Sequence, residues 1–267
     1  MIAVIAGTGT LPVEACKRLL SQAKPFFVVS LFPEENGGAL KTIIDRADSI
    51  VAQPYYRPGD ILRLLQERQT TQVLFIGKVD KNNLLKHLKL DWLALKILGS
   101  LVTRGDKDIM EALLKELEQH GIKTLRQDEV LDGLLVKPGI LCGELTPTLQ
   151  ASINVGMKTA LTISDADIGQ TVVVKDAMVL AVEAIEGTDA CIQRGLALGK
   201  DGIVICKAAH QQHNASYDLP TLGPKSLETF TPGQVTAIAW LSSHTLIAQR
   251  ETFVQQAQKL GITLVSV

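Results

Sequence analysis

The sequence lacks the features that mark several large classes of protein. It contains four cysteines in 267 residues and no Cys-x-x-Cys pair. This spacing argues against a disulfide framework or a zinc site and is typical of reduced, buried cysteines in a cytoplasmic protein. No run of about 18 uncharged apolar residues occurs, the length that would cross a bilayer, so we expect no membrane-spanning segment. The cysteines are Cys16, Cys142, Cys191 and Cys206.

An excess of charge of one sign is absent as well. The chain has 27 basic and 28 acidic residues, for a formal net charge of -1. Without a global field it has no general means of holding nucleic acid or an anionic membrane. We therefore expect no nucleic-acid partner, and we expect any phosphate site to be local. The Gly-x-Ser-x-Gly, His-Glu-x-x-His and Walker A motifs are also missing, so the enzyme classes that they mark have no support here.

Apolar residues, in contrast, make up 46% of the chain. This content suffices for a large core, and the chain has the length at which one core usually divides into two. Glycine and proline interrupt short apolar pieces at residues 127–147, which is typical of a connection between domains. We therefore predict domains at residues 1–130 and 149–267, joined by a linker at 131–148.

The first domain alternates apolar runs with helical patterns. Residues 2–6 and 73–76 predict buried strands, and residues 11–23 and 59–69 predict helices. Alternation of this kind implies a parallel sheet with both faces covered. In the second domain, residues 170–182 predict a β-hairpin among further strands and helices. The expected fold class is α/β, with a Rossmann-like N-terminal domain and an α/β C-terminal domain.

A glycine turn, Gly7-Thr-Gly9, follows the first predicted strand. Glycines at such a turn let backbone N–H groups approach a phosphate at the start of a helix. Position 12, where a dinucleotide-binding motif has its third glycine, is Pro12. The pattern favours a turn that faces a nucleotide without NAD, while a purely structural turn stays open as the alternative.

A second candidate is Thr103-Arg-Gly-Asp106, just before a predicted helix. The guanidinium of Arg104 can bind a phosphate or a uracil ring, and Gly105 supplies flexible backbone beside Asp106. An ordinary helix cap with a surface arginine is the alternative. Upstream, residues 81–101 predict a leucine-rich helix with several lysines. This helix is either a core element with a solvated face or a basic surface that touches lipid or an acyl-bearing substrate.

Three acids lie close together after a predicted strand: Glu183, Glu186 and Asp189. Carboxylates at this spacing repel one another unless a cation or substrate hydroxyls share them, so a Mg²⁺ site is credible. Mg²⁺ commonly uses one or two carboxylates together with substrate phosphate oxygens. The alternative is that Thr188 or Asp189 simply caps the following helix.

Asp218 begins a second polar stretch, Asp218-Leu-Pro-Thr221. Pro220 biases Leu219 toward an extended backbone and stiffens the loop. A carboxylate on a stiff loop can bind a metal ion or orient a water for attack. An Asx-turn is the commoner explanation for an isolated aspartate of this kind.

These motifs together resemble the LpxI family, the UDP-2,3-diacylglucosamine pyrophosphatases of bacterial lipid A synthesis. The similarity covers nearly the whole chain. The residues that carry it lie at 5–12, 105–106, 167–170, 179–189 and 218–223.

The resemblance implies a two-domain enzyme with a Rossmann-like N-terminal domain, a family-specific C-terminal domain and a lipid nucleotide bound between them. It also implies Mg²⁺-dependent attack of water on the α-phosphorus, giving UMP and 2,3-diacylglucosamine 1-phosphate (lipid X). The family's essential aspartate falls on Asp218. Thr8 stands where the family usually has glycine, and Ser216 stands where it usually has an arginine, so Lys207, His210 or another residue is expected to bind phosphate in its place.

The expected site therefore has Asp218 as the catalytic residue, with Mg²⁺ as the cofactor. Metal ligands are expected among four acids: Asp218, Glu183, Glu186 and Asp189. Substrate contacts are expected from nine further residues: Gly7, Gly9, Arg104, Gly105, Asp106, Gly187, Thr188, Lys207 and Thr221.

The resemblance implies a lipid nucleotide as the substrate. A cytoplasmic location, peripheral contact with the inner membrane and a homodimer are compatible with this interpretation. Two other functions stay open: a Rossmann-type oxidoreductase acting on a sugar nucleotide, and a non-catalytic module that binds a sugar nucleotide or lipid X.

Overall fold

The computed structural model describes residues 1–44, 49–53, 57–79, 91–100, 106–209 and 215–267, with the backbone alone at positions 98, 100, 106 and 107. Two units make up the chain. The first comprises Met1–Leu131 and Ala215–Tyr217, and the second comprises Asp132–Asn214 and Asp218–Val267.

The first unit is built on a five-stranded parallel sheet with strand order β3-β2-β1-β4-β5. Its central strands are continuous apolar runs and are buried, as expected for a parallel sheet covered on both faces. This order confirms the predicted α/β class with a Rossmann-like sheet. The strands are β1 (Ile2–Ala6), β2 (Phe26–Ser30), β3 (Ile50–Ala52), β4 (Gln72–Ile76) and β5 (Lys123–Thr124).

Helices connect and flank these strands. Three of them carry proline in the first turn, where its missing N–H has no cost. The sequence patterns did not predict the second helix, because it starts with Pro33 and contains Gly37 and Gly38, residues typical of loops. The helices are α1 (Leu11–Ser21), α2 (Pro33–Lys41), α3 (Pro58–Glu67), α4 (Trp92–Ser100), α5 (Asp106–Gln119) and α6 (Gln127–Val130).

Part of the helix predicted at residues 81–101 is observed as α4. Residues 81–90 and 101 lie outside the described part of the chain. None of the helices in the described ranges combines the length and apolar character needed to cross a membrane.

The second unit contains a six-stranded mixed sheet with strand order β6-β13-β11-β9-β7-β8. The three strands β13, β11 and β9 are parallel to one another, while β6 and β7 run antiparallel to their neighbours. Strands β7 and β8 form the predicted hairpin. The strands are β6 (Gly139–Cys142), β7 (Thr171–Lys175), β8 (Met178–Val182), β9 (Ile203–Lys207), β11 (Val235–Trp240) and β13 (Thr263–Ser266). A separate two-stranded sheet pairs β10 (Thr221–Leu222) with β12 (Leu246–Ile247).

Three helices cover the two faces of this sheet: α7 (Pro147–Asp165), α8 (Thr188–Gly199) and α9 (Arg250–Leu260). Alternate residues of a strand face opposite sides, and Val172 packs in the same cluster as α7. Its neighbour Val173 packs in the other cluster, with α8 and α9. The sheet therefore has α7 on one face and the other two helices on the opposite face.

Strand β6 lies inside residues 131–148, the range predicted to be a linker. It pairs antiparallel with β13 at the edge of the sheet. The strand has only four residues and starts at Gly139 directly after Pro138, a combination that is typical of a loop. Its strand character comes from pairing with a partner more than 100 residues away in sequence.

Asn36 holds the glycine turn after β1 in place. Its side chain is buried, and its Nδ2 donates to the carbonyl oxygen of Gly7 at 2.6 Å. Its Oδ1 accepts a hydrogen bond from Ser30 Oγ at 2.6 Å. On the other side, Gly7 lies so near the main chain of Lys78 that a Cβ would collide with the Lys78 carbonyl oxygen. The turn is thus held between the buried amide of Asn36 and the main chain of Lys78.

Replacing Asn36 by alanine is expected to destabilise the first unit by about 1–3 kcal/mol, because the Gly7 carbonyl and the Ser30 hydroxyl lose a buried partner. Thermal and urea unfolding measure the loss. The matched control is Asn154→Ala, which removes an exposed amide on α7 and is expected to change stability little. Equal midpoints for the two variants would contradict this role of Asn36.

The four cysteines are all free and buried, as the sequence analysis predicted. Burial raises the pKa of Cys16 to about 12 and that of Cys206 to about 12. The pKa of Cys191 rises to about 11, again chiefly through burial, and burial also raises the pKa of Cys142.

The thiolate is the reactive form of cysteine, and raised pKa values keep these thiols protonated near neutral pH. We expect the native protein to react slowly with 5,5′-dithiobis(2-nitrobenzoic acid) at pH 8. The same protein in guanidinium chloride should release four equivalents of thionitrobenzoate, one per cysteine. A fast phase in the native protein would contradict the burial of at least one thiol.

Candidate active site

Polar side chains of the second unit meet at one edge of its sheet, the edge formed by the carboxyl ends of β8 and β9. Lys207 is the last residue of β9, and Glu183 directly follows β8. Because β7 runs antiparallel to both strands, its first residue, Thr171, lies at the same edge and is paired with Lys207. The order and direction of the strands therefore bring together residues 171, 183 and 207.

The ammonium group of Lys207 is enclosed by threonine hydroxyls. The side chain is only 7% exposed. Its Nζ donates to Thr171 Oγ1 at 3.2 Å and to Thr188 Oγ1 at 3.1 Å. A buried ammonium is costly unless polar or charged groups compensate it, and these hydroxyls are part of that compensation.

Glu183 supplies a negative charge next to these hydroxyls. Its Oε1 accepts a hydrogen bond from Thr188 Oγ1 at 2.8 Å, and its Oε2 accepts one from the backbone N–H of Gln170 at 3.2 Å. The Thr188 hydroxyl thus accepts from an ammonium and donates to a carboxylate, which uses both of its hydrogen-bonding roles.

Asp218 joins the same cluster through Gln170. The Nε2 of Gln170 donates to Asp218 Oδ2 at 3.4 Å. Asp218 itself is exposed, and Thr221, three residues further on, is half-buried and donates from Oγ1 to the carbonyl oxygen of Leu219. The predicted catalytic residue therefore presents its carboxylate to solvent beside a half-buried amide.

Glu186 and Asp189 differ from Glu183 in their surroundings. Glu186 Oε1 pairs with the guanidinium of Arg194, and its Oε2 accepts from the backbone N–H of Ala184 at 3.1 Å. The hydrogen bond from Arg194 is the main reason why the pKa of Glu186 lies below its usual value. Asp189 is exposed on the first turn of α8.

The alternative that Thr188 or Asp189 caps α8 is wrong. The N-cap is Gly187, at a φ of 82°, and no side chain makes a capping hydrogen bond there. Thr188 is the first helical residue, and its hydroxyl is turned to Glu183 and Lys207 instead. Glycine suits this cap because residues with a side chain rarely adopt a positive φ.

The donor set fits a metal ion only in part. Within the ranges that the structure describes, no group of three or more His, Cys, Asp or Glu side chains is arranged to hold one. Both carboxylate oxygens of Glu183 and of Glu186 accept hydrogen bonds from protein groups. Exposed Asp218 suits Mg²⁺ better, since this ion commonly takes one or two carboxylates plus substrate oxygens and water.

The other predicted site residues belong to the first unit or are not described. Gly7 and Gly9 form the turn after β1, and Gly9 has a φ of 96°. Asp106 begins α5, while Arg104 and Gly105 lie outside the described residues. The predicted residues that the hydrogen bonds of the cluster join are Glu183, Thr188, Lys207 and Asp218, all of the second unit.

Sequence reasoning did not assign roles to Gln170, Thr171 and Arg194. Gln170 and Thr171 both lie at the start of the predicted hairpin, and Gln170 also ends the stretch 167–170 that carries the family resemblance. The sequence carries no local signal for Thr171, because its pairing with Lys207 is set by the register of β7 against β9 in the folded sheet. Arg194 lies eight residues after Glu186, two turns of α8 away from the loop, so only the fold brings the two side chains together.

Comparison with known proteins agrees with this division into two parts. A family model described as the LpxI N-terminal domain matches residues 1–134, and one described as the LpxI C-terminal domain matches residues 137–265. The chain is also 29% identical, over 285 aligned positions, to a protein of Caulobacter vibrioides (strain ATCC 19089 / CIP 103742 / CB 15) named UDP-2,3-diacylglucosamine pyrophosphatase LpxI. That alignment covers all of this chain and 97% of the relative.

Gly169 sets the distance between β7 and the loop after β8. A Cβ at this position would collide with the carbonyl oxygen of Glu183. Gly169→Ala is therefore expected to displace Glu183 and to destabilise the protein by about 1–3 kcal/mol, the usual cost of overpacking. Chemical unfolding measures the change. Gly133→Ala is the control, because a Cβ there meets nothing within 4 Å, and an equal loss in both variants would contradict the close approach.

Proposed function

The chain belongs to the LpxI family, and on this premise we propose that it hydrolyses the pyrophosphate of UDP-2,3-diacylglucosamine. The products would be UMP and 2,3-diacylglucosamine 1-phosphate. The relative from Caulobacter vibrioides carries the name of this activity.

One observation supports this proposal above the others. A buried cation, Lys207, and an exposed carboxylate, Asp218, belong to one hydrogen-bonded cluster at the edge of a sheet. Cleavage of a pyrophosphate needs a positive charge for the phosphate oxygens and an acceptor that orients the attacking water. The cluster contains one group suited to each task.

Lys207 is suited to phosphate because its ammonium is held in position before the substrate arrives. A charge fixed in a partly dry site acts on a developing anion more strongly than one in water. Thr188 and Gly187 lie at the N-terminus of α8, whose backbone N–H groups favour anions. We propose that the phosphate next to uridine binds at this corner, with Thr221, the first residue of β10, as a further polar contact.

Asp218 would orient the water that attacks the α-phosphorus. Its carboxylate is exposed and accepts a hydrogen bond from Gln170, so it can accept a further hydrogen bond from a water molecule. Accepting the proton as the new P–O bond forms would complete the role of a general base.

We propose Mg²⁺ as the cofactor, with Asp218 as its main protein ligand. When bound, Mg²⁺ would withdraw charge from the pyrophosphate oxygens and stabilise the leaving phosphate. Asp189 is a second exposed carboxylate, on the first turn of α8, and is proposed as a further ligand. The ligand roles predicted for Glu183 and Glu186 stay predictions.

Further proposals concern how the first unit contributes to substrate binding and where the enzyme acts. Trp92 and Leu95 on α4 are 57% and 59% exposed, and exposed apolar side chains on a helix suit acyl chains or a lipid surface. We propose that α4 contributes to the binding of the acyl chains, that the turn with Gly7 and Gly9 contacts the nucleotide, and that residues 104–106 hold phosphate or uracil. A cytoplasmic enzyme at the inner membrane, with a homodimer as one oligomeric form, is part of the same proposal.

The test is release of UMP from UDP-2,3-diacylglucosamine with Mg²⁺, with and without a chelator. Asp218→Asn is expected to lower kcat by about 10²- to 10⁴-fold, the usual contribution of a general base, with binding of UMP retained. Asp176→Asn is the control, since Asp176 lies in the β7–β8 turn at a φ of 48° that asparagine also adopts.

UMP release that persists in Asp218→Asn would refute the catalytic role of Asp218. Activity that is insensitive to the chelator would refute the cofactor proposal. Tight binding of the substrate by the wild-type protein without turnover would favour a binding module over an enzyme.

A further inference from the structure

Glu183 lies at the branch point of the hydrogen-bonded cluster. One of its carboxylate oxygens leads through Thr188 to Lys207, and the other leads through Gln170 to Asp218. Both charged groups that the proposed reaction uses are therefore linked to the same carboxylate. Neither link requires a ligand to be bound.

The first branch fixes the ammonium of Lys207. Thr188 Oγ1 lies 2.8 Å from Glu183 Oε1 and 3.1 Å from Lys207 Nζ, so one hydroxyl separates the two charges. An ammonium in a buried position needs a negative group nearby to remain charged. Glu183 provides a negative charge that is separated from the ammonium by the Thr188 hydroxyl alone.

The second branch fixes the amide of Gln170. Its backbone N–H donates to Glu183 Oε2 at 3.2 Å, and its carbonyl oxygen accepts from the backbone N–H of Ala208 at 2.9 Å. With the main chain held on both sides, the side chain projects from a fixed point toward Asp218. The orientation of the Asp218 carboxylate therefore depends on where Glu183 holds this segment.

The backbone of Glu183 is constrained as well. Its N–H donates to the carbonyl oxygen of Thr171 at 2.9 Å, and Gly169 packs against its carbonyl group. Both main chain and side chain are thus engaged with residues 169–171. Such a residue is well suited to position other groups, and its two engaged oxygens make it a poor choice to bind a metal ion directly.

We infer that Glu183 is a positioning residue that sets both Lys207 and Asp218, through Thr188 and Gln170 respectively. This inference rests on the proposed function and extends it, because it makes the phosphate-binding cation and the water-orienting carboxylate depend on one anchor. It also assigns Glu183 a role other than that of a magnesium ligand.

The experiment compares Thr188→Val, Thr188→Ser and Glu183→Gln with the wild-type protein. Valine has the shape of threonine without the hydroxyl, whereas serine keeps the hydroxyl. We expect Thr188→Val and Glu183→Gln to lower kcat by about 10- to 100-fold, the range seen when a group that orients a catalytic ligand is lost. Thr188→Ser is expected to keep most of the wild-type kcat, because serine retains the hydroxyl.

The readout that separates positioning from metal binding is the Mg²⁺ concentration for half-maximal rate. A positioning role leaves this concentration close to the wild-type value in both Glu183→Gln and Thr188→Val. A rise of tenfold or more in Glu183→Gln, with kcat recovered at saturating Mg²⁺, would overturn the inference and make Glu183 a metal ligand.

Thr159→Val is the matched control. It removes a threonine hydroxyl on α7 that donates to the carbonyl oxygen of Val155 and is expected to keep the wild-type kcat. If Thr188→Val also keeps the wild-type kcat, the inference fails while the proposed function stands. If the wild-type protein itself releases no UMP, the proposed function fails and this inference fails with it.

Discussion

The buried ammonium of Lys207 is the constraint around which the second unit is arranged. A cation that is 7% exposed needs polar partners. In this protein the partners come from separate elements. The hydroxyl of Thr171 comes from the start of β7, and that of Thr188 from the start of α8. Glu183 follows β8 and adds the opposite charge. The β7–β8 hairpin, the first turn of α8 and the end of β9 are therefore connected by hydrogen bonds around the ammonium group of Lys207.

This arrangement follows from the mixed direction of the sheet. Had β7 been parallel to β9, its first residue would lie at the opposite edge, far from Lys207. The antiparallel pairing instead brings the amino end of β7 to the carboxyl ends of β8 and β9. Polar residues at strand ends then form a cluster, while the strand interiors, such as Val172 and Val173, remain in the two apolar clusters.

Much of the fold could be predicted from the sequence, because long apolar runs and helical spacing are local signals. The strand at residues 2–6 and the hairpin at residues 170–182 were predicted close to their observed bounds. Among the segments missed, α2 and β6 are short and have glycine and proline within them or directly before them. Their structure depends on packing and pairing with distant residues, which local patterns do not encode.

The sequence by itself determined the α/β class, the two-part organisation and the family, since these depend on periodicity and on motifs that are contiguous in the chain. It also singled out Glu183, Thr188, Lys207 and Asp218 as chemically capable. Only the tertiary structure decided how they are connected. In the structure Thr188 does not cap α8; its hydroxyl lies between the charged groups of Glu183 and Lys207. The side chain of Gln170 donates to Asp218. The reason is that strand register and direction, which join residues tens of positions apart, are properties of the folded sheet.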